Sequence, residues 1–170
     1  MTTKTIFAAV FTLALCQADV RLPSIIGDHM LLQRDAPVRI FGKAAPGEAV
    51  TVSYRGQTAQ STADPLGRWE VWLAPMQPAA ATEMTIRGNN EIKVADVLVG
   101  DVWIGSGQSN MQWAVRQSHN ADAEMAAAKL SGIRLFYVPR KTSPVPVEDV
   151  EAKWVVCSPE NVGEFSAVLY

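Results

Sequence analysis

Ser109 stands where a serine can do chemistry. The surrounding stretch reads Val97-Leu98-Val99-Gly100-Asp101-Val102-Trp103-Ile104-Gly105-Ser106-Gly107-Gln108-Ser109-Asn110-Met111-Gln112-Trp113. The apolar run from Val97 to Ile104, rich in β-branched residues and carrying a tryptophan, predicts a strand buried on both faces. Gly105-Ser106-Gly107 allows a sharp turn. Met111, Ala114, Val115 and Ser118 then follow at helical spacing, which predicts a short helix from about Asn110 to Gln117. A hydroxyl projecting from a tight turn between strand and helix is placed as a nucleophile. The N–H groups and partial positive charge of a helix N-terminus would serve an oxyanion.

Other chemistries fit the same glycines less well. A phosphate cradle needs a terminal Gly-Lys-Ser/Thr and no lysine is present, while a dinucleotide fingerprint needs a third glycine where Asn110 stands. An ordinary glycine turn capped by Ser109 remains open. A serine also needs a base. The chain holds two histidines, His29 and His119. Ten residues of helix between Ser109 and His119 would separate them by about 15 Å at 1.5 Å per residue, against a hydrogen-bond reach of about 3 Å. His119 is therefore read as a loop residue. His29 has no evident partner and is read as structural. Asp101 is read as an anchor for the loop, and Gln112 and Trp113 as helix-face residues.

Two kinds of periodicity must position this stretch. From about Val20 to Val94 short alternating runs are separated by turn signals. Pro37 to Gly42, Val50 to Tyr54, Thr58 to Thr62, Trp69 to Leu73, Met84 to Ile86 and Ile92 to Val94 predict strands. Arg55-Gly56, Asp64-Pro65-Leu66-Gly67 and Gly88-Asn89-Asn90 predict the turns between them. This pattern predicts a small antiparallel β-sandwich over 19–96. In it Trp69, Val71 and Leu73 face one side and Glu70 and Trp72 the other. Trp69 and Trp72 read first as packing residues and second as a sugar-stacking platform. Arg34 and Asp35 read as a surface pair of little energetic worth.

After Val97 the pattern becomes α/β. An alanine-rich helix is expected over Ala121 to Leu130 with Gly132 at its C-terminal cap, then a strand over Ile133 to Val138. Strand, helix and strand together predict a parallel βαβ unit. Lys141 to Glu151 reads as an exposed loop, Trp154 to Cys157 as a short extended segment, Ser158 to Asn161 as a turn, and Glu164 to Tyr170 as the start of a helix.

Gly107-Gln108-Ser109-Asn110-Met111, preceded by Gly100-Asp101-Val102-Trp103, resembles the nucleophile block of sialate O-acetylesterases and related carbohydrate esterases within the SGNH (GDSL-like) hydrolases. It is not the Gly-x-Ser-x-Gly elbow, because Met111 stands at the second glycine. The resemblance extends to Leu31-Leu32-Gln33-Arg34-Asp35-Ala36-Pro37-Val38, Asp64-Pro65-Leu66-Gly67-Arg68-Trp69, Ile133-Arg134-Leu135-Phe136 and Glu164-Phe165-Ser166-Ala167-Val168. It implies a flavodoxin-like α/β hydrolase domain beginning at 97–170. It also implies removal of acetyl groups from sugars such as sialate or xylan, with Ser109 as nucleophile and Gln108 and Asn110 flanking it. The family's later oxyanion blocks and Asp-x-x-His block are not found in these 170 residues. The resemblance therefore implies an N-terminal portion that alone is inactive. Gln33 and Arg34 fall in a structural segment of the sandwich. A noncatalytic carbohydrate-binding module and a purely structural domain are the alternatives.

Composition narrows the classes further. Hydrophobic residues make up 48% and charged residues 19%, with a formal net charge of -2, which describes a globular chain without the basic stripe that nucleic-acid binding needs. Two cysteines and two histidines suggest neither a disulfide framework nor a zinc cluster, and no cofactor is required for the inferred chemistry. Residues 1–18 read as a signal peptide, with Lys4 before the apolar run Ile6 to Leu15 and cleavage after Ala18. That run is too short to span a membrane. Export to the periplasm or the exterior follows, with lipid attachment at Cys16 as a variant. The oligomeric state is open.

Overall fold

The computed structural model describes residues 19–170. The expected signal segment, with Cys16, lies outside the described residues. Two antiparallel strands, β2 (Val38–Lys43) and β5 (Arg68–Leu73), form a ribbon in which Val38 pairs with Leu73 and Lys43 with Arg68. A five-stranded sheet faces it. Its order is β1 (Leu31–Gln33), β7 (Glu91–Gly100), β6 (Ala79–Arg87), β3 (Ala49–Tyr54) and β4 (Gln57–Thr62). All pairings in it are antiparallel except β1 with β7.

Alternation along the strands explains the layering. On β3, Val50, Val52 and Tyr54 are buried, and on β5 the buried residues are Trp69, Val71 and Leu73, as the period-2 pattern predicts. These side chains meet Ile40, Met84, Ile86, Val94, Val97 and Val99 in one apolar core shared by both sheets. Tyr54 is buried and its hydroxyl donates to the Val97 carbonyl at 2.9 Å, which satisfies its polar tip. The expected turns form. Arg55 and Gly56 both take positive φ between Tyr54 and Gln57, the geometry of a two-residue hairpin. The Asp64 carboxylate accepts from the Leu66 and Arg68 N–H groups.

The second half departs from the expected α/β pattern. The strand leading toward Ser109 ends at Gly100 rather than Ile104, and Asp101–Gly107 joins no sheet. The helix expected from Asn110 is instead a turn followed by a 3-10 turn at Val115–Gln117. Helix α1 covers Ala121–Ala127, and Gly132 lies inside a strand rather than at a helix cap. That strand, β8 (Leu130–Phe136), pairs antiparallel with β9 (Trp154–Cys157), so the parallel βαβ unit does not form among the described residues. A four-residue helix, α2 (Pro159–Val162), occupies the expected turn, with proline at a first-turn position where no N–H is missed. Glu164 to Tyr170 forms turns instead of a helix. Val115, Ala128, Leu135, Cys157 and Val162 make a second, smaller core.

One physical reason covers these differences. Strand preference is a preference for being packed and paired, and among the described residues no strand lies beside Asp101–Ile104. The seam expected at 96/97 falls within β7, whose Val97 and Val99 pack into the first core.

Candidate active site

β7 leads into the Ser109 stretch, and β1 clamps its exit. The Arg34 N–H donates to the Gly100 carbonyl at 2.9 Å. The Arg34 guanidinium donates to Asp101 Oδ1 at 2.8 Å, and Gln33 Oε1 accepts from the Val102 N–H at 2.9 Å. Asp101 is thus the anchor expected of it, while the supposed Arg34–Asp35 pair is the longer of the two contacts at 3.7 Å. The hydrogen bond and charge of Asp101 raise the Arg34 guanidinium above its ordinary value. Gln33 and Arg34, read as sandwich residues, also hold the start of the site segment. Their side-chain reach across β1 and β7 is invisible in a linear pattern.

Beyond this clamp the chain leaves the sheet. Gly105 passes against Leu169, where a Cβ would lie 2.7 Å from its Cδ2 atom. A larger residue there would force the Leu169 side chain to shift. The turn around Ser109 then closes on itself, with the Gln112 N–H donating to the Gln108 carbonyl and the Trp113 N–H to the Asn110 carbonyl, each at 3.1 Å. This single helical turn presents the N–H groups of Ser109 and Asn110 without a hydrogen-bond acceptor among the described residues. Ser109 itself is exposed, as are Gln108 and Asn110. Those N–H groups are the unspent donors of a first helical turn, suited to a developing oxyanion.

The C-terminal segment braces the turn from below. The Ser166 hydroxyl donates to Met111 Sδ at 3.2 Å. The Ala167 N–H donates to the Trp113 carbonyl at 2.8 Å and the Val115 N–H to the Phe165 carbonyl at 3.0 Å. Arg140 holds Gln112 Oε1 at 2.7 Å. Ser166 and Arg140 were not legible as site supports, because their partners lie far away in sequence.

Among the described residues no base hydrogen-bonds to Ser109. His119 is exposed in the turn before α1. His29, read as partnerless, instead meets Asp96 Oδ2 through Nδ1 at 2.7 Å, and the same oxygen takes the Arg134 guanidinium at 2.9 Å. Both His29 and Asp96 adopt positive φ. This cluster ties β8 to the first sheet, and the Arg134 side chain within it is nearly fully buried. Cys157 is no rival nucleophile. It is 2% exposed, and burial pushes its thiol up, only partly offset by the Tyr170 hydroxyl. No group of three or more histidine, cysteine, aspartate or glutamate side chains among the described residues is placed to hold a metal ion. No described helix is long and apolar enough to cross a membrane.

Comparison with known proteins adds the decisive observation. The chain is 35% identical to the sialate O-acetylesterase of Mus musculus over 159 aligned residues, and 35% identical to that of Homo sapiens over the same length. Each match covers 84% of this chain. The chain is related to the sialate O-acetylesterases. A solved structure of a carbohydrate acetylesterase from Xanthomonas citri superposes with a TM-score of 0.86 at 37% identity, over 89% of this chain and 35% of that one. The strand-rich architecture is therefore similar to that of a carbohydrate acetylesterase. The chain spans about three-tenths of the length of the curated relatives, at 29% of the mouse protein and 30% of the human one. No family model matches it.

Proposed function

We propose that this chain carries the nucleophile portion of a serine esterase that removes O-acetyl groups from carbohydrates. One observation carries the reading: exposed Ser109 sits on a helical turn whose first N–H groups are unspent, in a chain related to sialate O-acetylesterases. Ser109 Oγ attacks the acetyl carbonyl while a base takes its proton. The Ser109 and Asn110 N–H groups hold the oxyanion, the sugar hydroxyl leaves, and water then releases acetate from the serine.

The base and the remaining oxyanion donors come from outside residues 19–170, in an SGNH-type α/β domain of which 97–170 is the first part. Strands of that domain would lie beside Val102–Ile104. The protein is exported, its N-terminus processed after Ala18. Residues 19–170 alone are inactive.

The test compares the 170-residue chain with a longer form carrying the downstream Asp-x-x-His block, each with and without Ser109→Ala. Acetate release is measured from an aryl acetate and from acetylated xylan and sialate. The longer form is expected to be active and to lose about three or more orders of magnitude with Ser109→Ala. Unchanged turnover in that variant overturns the assignment of Ser109. Comparable turnover by the short chain overturns the assignment of the base.

A further inference from the structure

The loop that carries Ser109 has two limbs, and one buried hydroxyl meets the supports of both. Ser166 is 8% exposed. Its hydroxyl donates to Met111 Sδ at 3.2 Å, and the Leu169 N–H donates to the same oxygen at 3.4 Å. Met111 follows Ser109 on the exit limb, and the Leu169 side chain packs on Gly105 of the entry limb. We propose that Ser166 is a positioning residue for Ser109. Its hydroxyl sets the tilt of the turn, and with it the direction of the Ser109 Oγ and of the Ser109 and Asn110 N–H groups. The role presupposes Ser109 as the nucleophile of the proposed reaction.

The backbone first brings Ser166 under the turn. Ala114 and Ser166 form an antiparallel bridge, closed by the Val115 N–H on the Phe165 carbonyl and the Ala167 N–H on the Trp113 carbonyl. The Arg116 N–H adds a bond to the Gly163 carbonyl, and its guanidinium pairs with Glu164 at 2.5 Å. These contacts fix the chain from Trp113 onward. From Gly105 to Gln112 the backbone bonds among the described residues close the turn only on itself. Its tilt is therefore left to side chains.

Met111 is the side chain that does this. Every other residue from Asp101 to Trp113 is exposed, while Met111 is half-buried. Gly107 on the entry limb closes against it, where an added Cβ would lie 3.3 Å from Met111 Cβ. A thioether on three rotatable bonds adapts to many shapes, so packing alone holds Met111 loosely. The Ser166 O–H, aimed at the sulfur, selects one arrangement. Precision matters here. Oxyanion donors act at about 2.7–3.1 Å from the developing charge, and a misplacement of about 1 Å costs up to about a hundredfold in rate. Ser166 acts from beneath the turn, so its loss falls on kcat rather than KM.

The test uses the longer form carrying the downstream Asp-x-x-His block, with active sites counted by a serine-reactive fluorophosphonate taken to completion. Ser166→Ala is expected to lower kcat about ten- to a hundredfold on both an aryl acetate and acetylated xylan, with KM within about twofold. The midpoint of the pH–rate profile is expected to stay in place. Ser166→Cys keeps a weak donor and is expected to recover part of the loss. Met111→Leu keeps the bulk, removes the acceptor and leaves the C-terminal segment untouched. It is expected to lower kcat similarly, and Ser166→Ala in that background to cost no more than about twofold further. In the 170-residue chain, Ser166→Ala is expected to speed amide exchange at Gln112 and Trp113 and to spare β3. If Ser109→Ala abolishes turnover while Ser166→Ala leaves kcat unchanged, the positioning role falls and the nucleophile stands. Turnover indifferent to Ser109→Ala overturns both. A rise in KM alone, a shifted pH midpoint, additive losses in the double variant, or unchanged exchange at Gln112 overturns the positioning role.

Discussion

The apolar run Val97 to Ile104 is shared between two regions that treat it differently. Val97 and Val99 are buried at 0% and 4%, inside β7 and between two neighbouring strands. Val102, Trp103 and Ile104 are exposed at 37%, 79% and 90%. Residue type does not separate them; neighbours do. In 19–100 each strand finds a partner among the described residues and the two sheets close on one core. In 101–170 the pairing is thinner and the core is a small cluster around Val115 and Val162. Burial follows from pairing, and apolar sequence only permits it.

The largest contrast to test is between cores and exposed run. Ile40→Ala, at a fully buried position, is expected to cost about 2–5 kcal/mol, and Ile104→Ala less than about 0.5 kcal/mol. Denaturant unfolding of both variants measures this. Equal costs would mean that Ile104 is packed in solution and that the two regions do not differ.

Gly42→Ala sharpens the same point within the ribbon. Its Cβ would lie 2.3 Å from the Arg21 carbonyl oxygen and 3.0 Å from the Trp69 ring. Overpacking against backbone should cost about 1–3 kcal/mol. Gly132→Ala, where nothing lies within 4 Å, should be near neutral by the same thermal melt.

Next is the tie between the regions. Arg134→Ala removes a buried cation from Asp96 and should cost about 1–3 kcal/mol. Its effect on hydrogen exchange should fall on β8 and β9 and spare β3 and β4. Uniform loss of protection would show that the two cores unfold as one unit.

The two smallest effects are local. Arg34→Ala should speed amide exchange at Val102 without shifting the thermal midpoint, because it releases the exit of β7 alone. Partial burial works to raise the Asp149 carboxyl, but the Ser24 hydroxyl and the Ser24 and Val150 N–H groups donating to it hold it below the ordinary carboxylate range. A depressed folded pKa gives stability that is present above the unfolded value, about 3.9, and lost as pH falls through the folded one. The 148–149 segment should therefore stay seated on Ser24 at neutral pH and detach below about pH 4, seen as exchange at Ser24 and Val150. Ser24→Ala should move that release to higher pH.

Sequence alone determined the strands and turns of the first half and singled out Ser109. Alternation on β3 and β5, the Arg55-Gly56 hairpin and the Asp64 turn are local rules, so they survive in any context that pairs the strands. The Gly107-Gln108-Ser109-Asn110-Met111 wording marked Ser109 before any geometry was known. Tertiary structure alone decided the rest. It placed Gln33 and Arg34 on the exit of β7, gave His29 its partner Asp96, set Trp72 outward beside Phe41, and turned β8 antiparallel to β9. Each of these joins residues distant in sequence. Such contacts are set by which surfaces meet when the chain closes, and a periodicity of two or 3.6 carries no information about that.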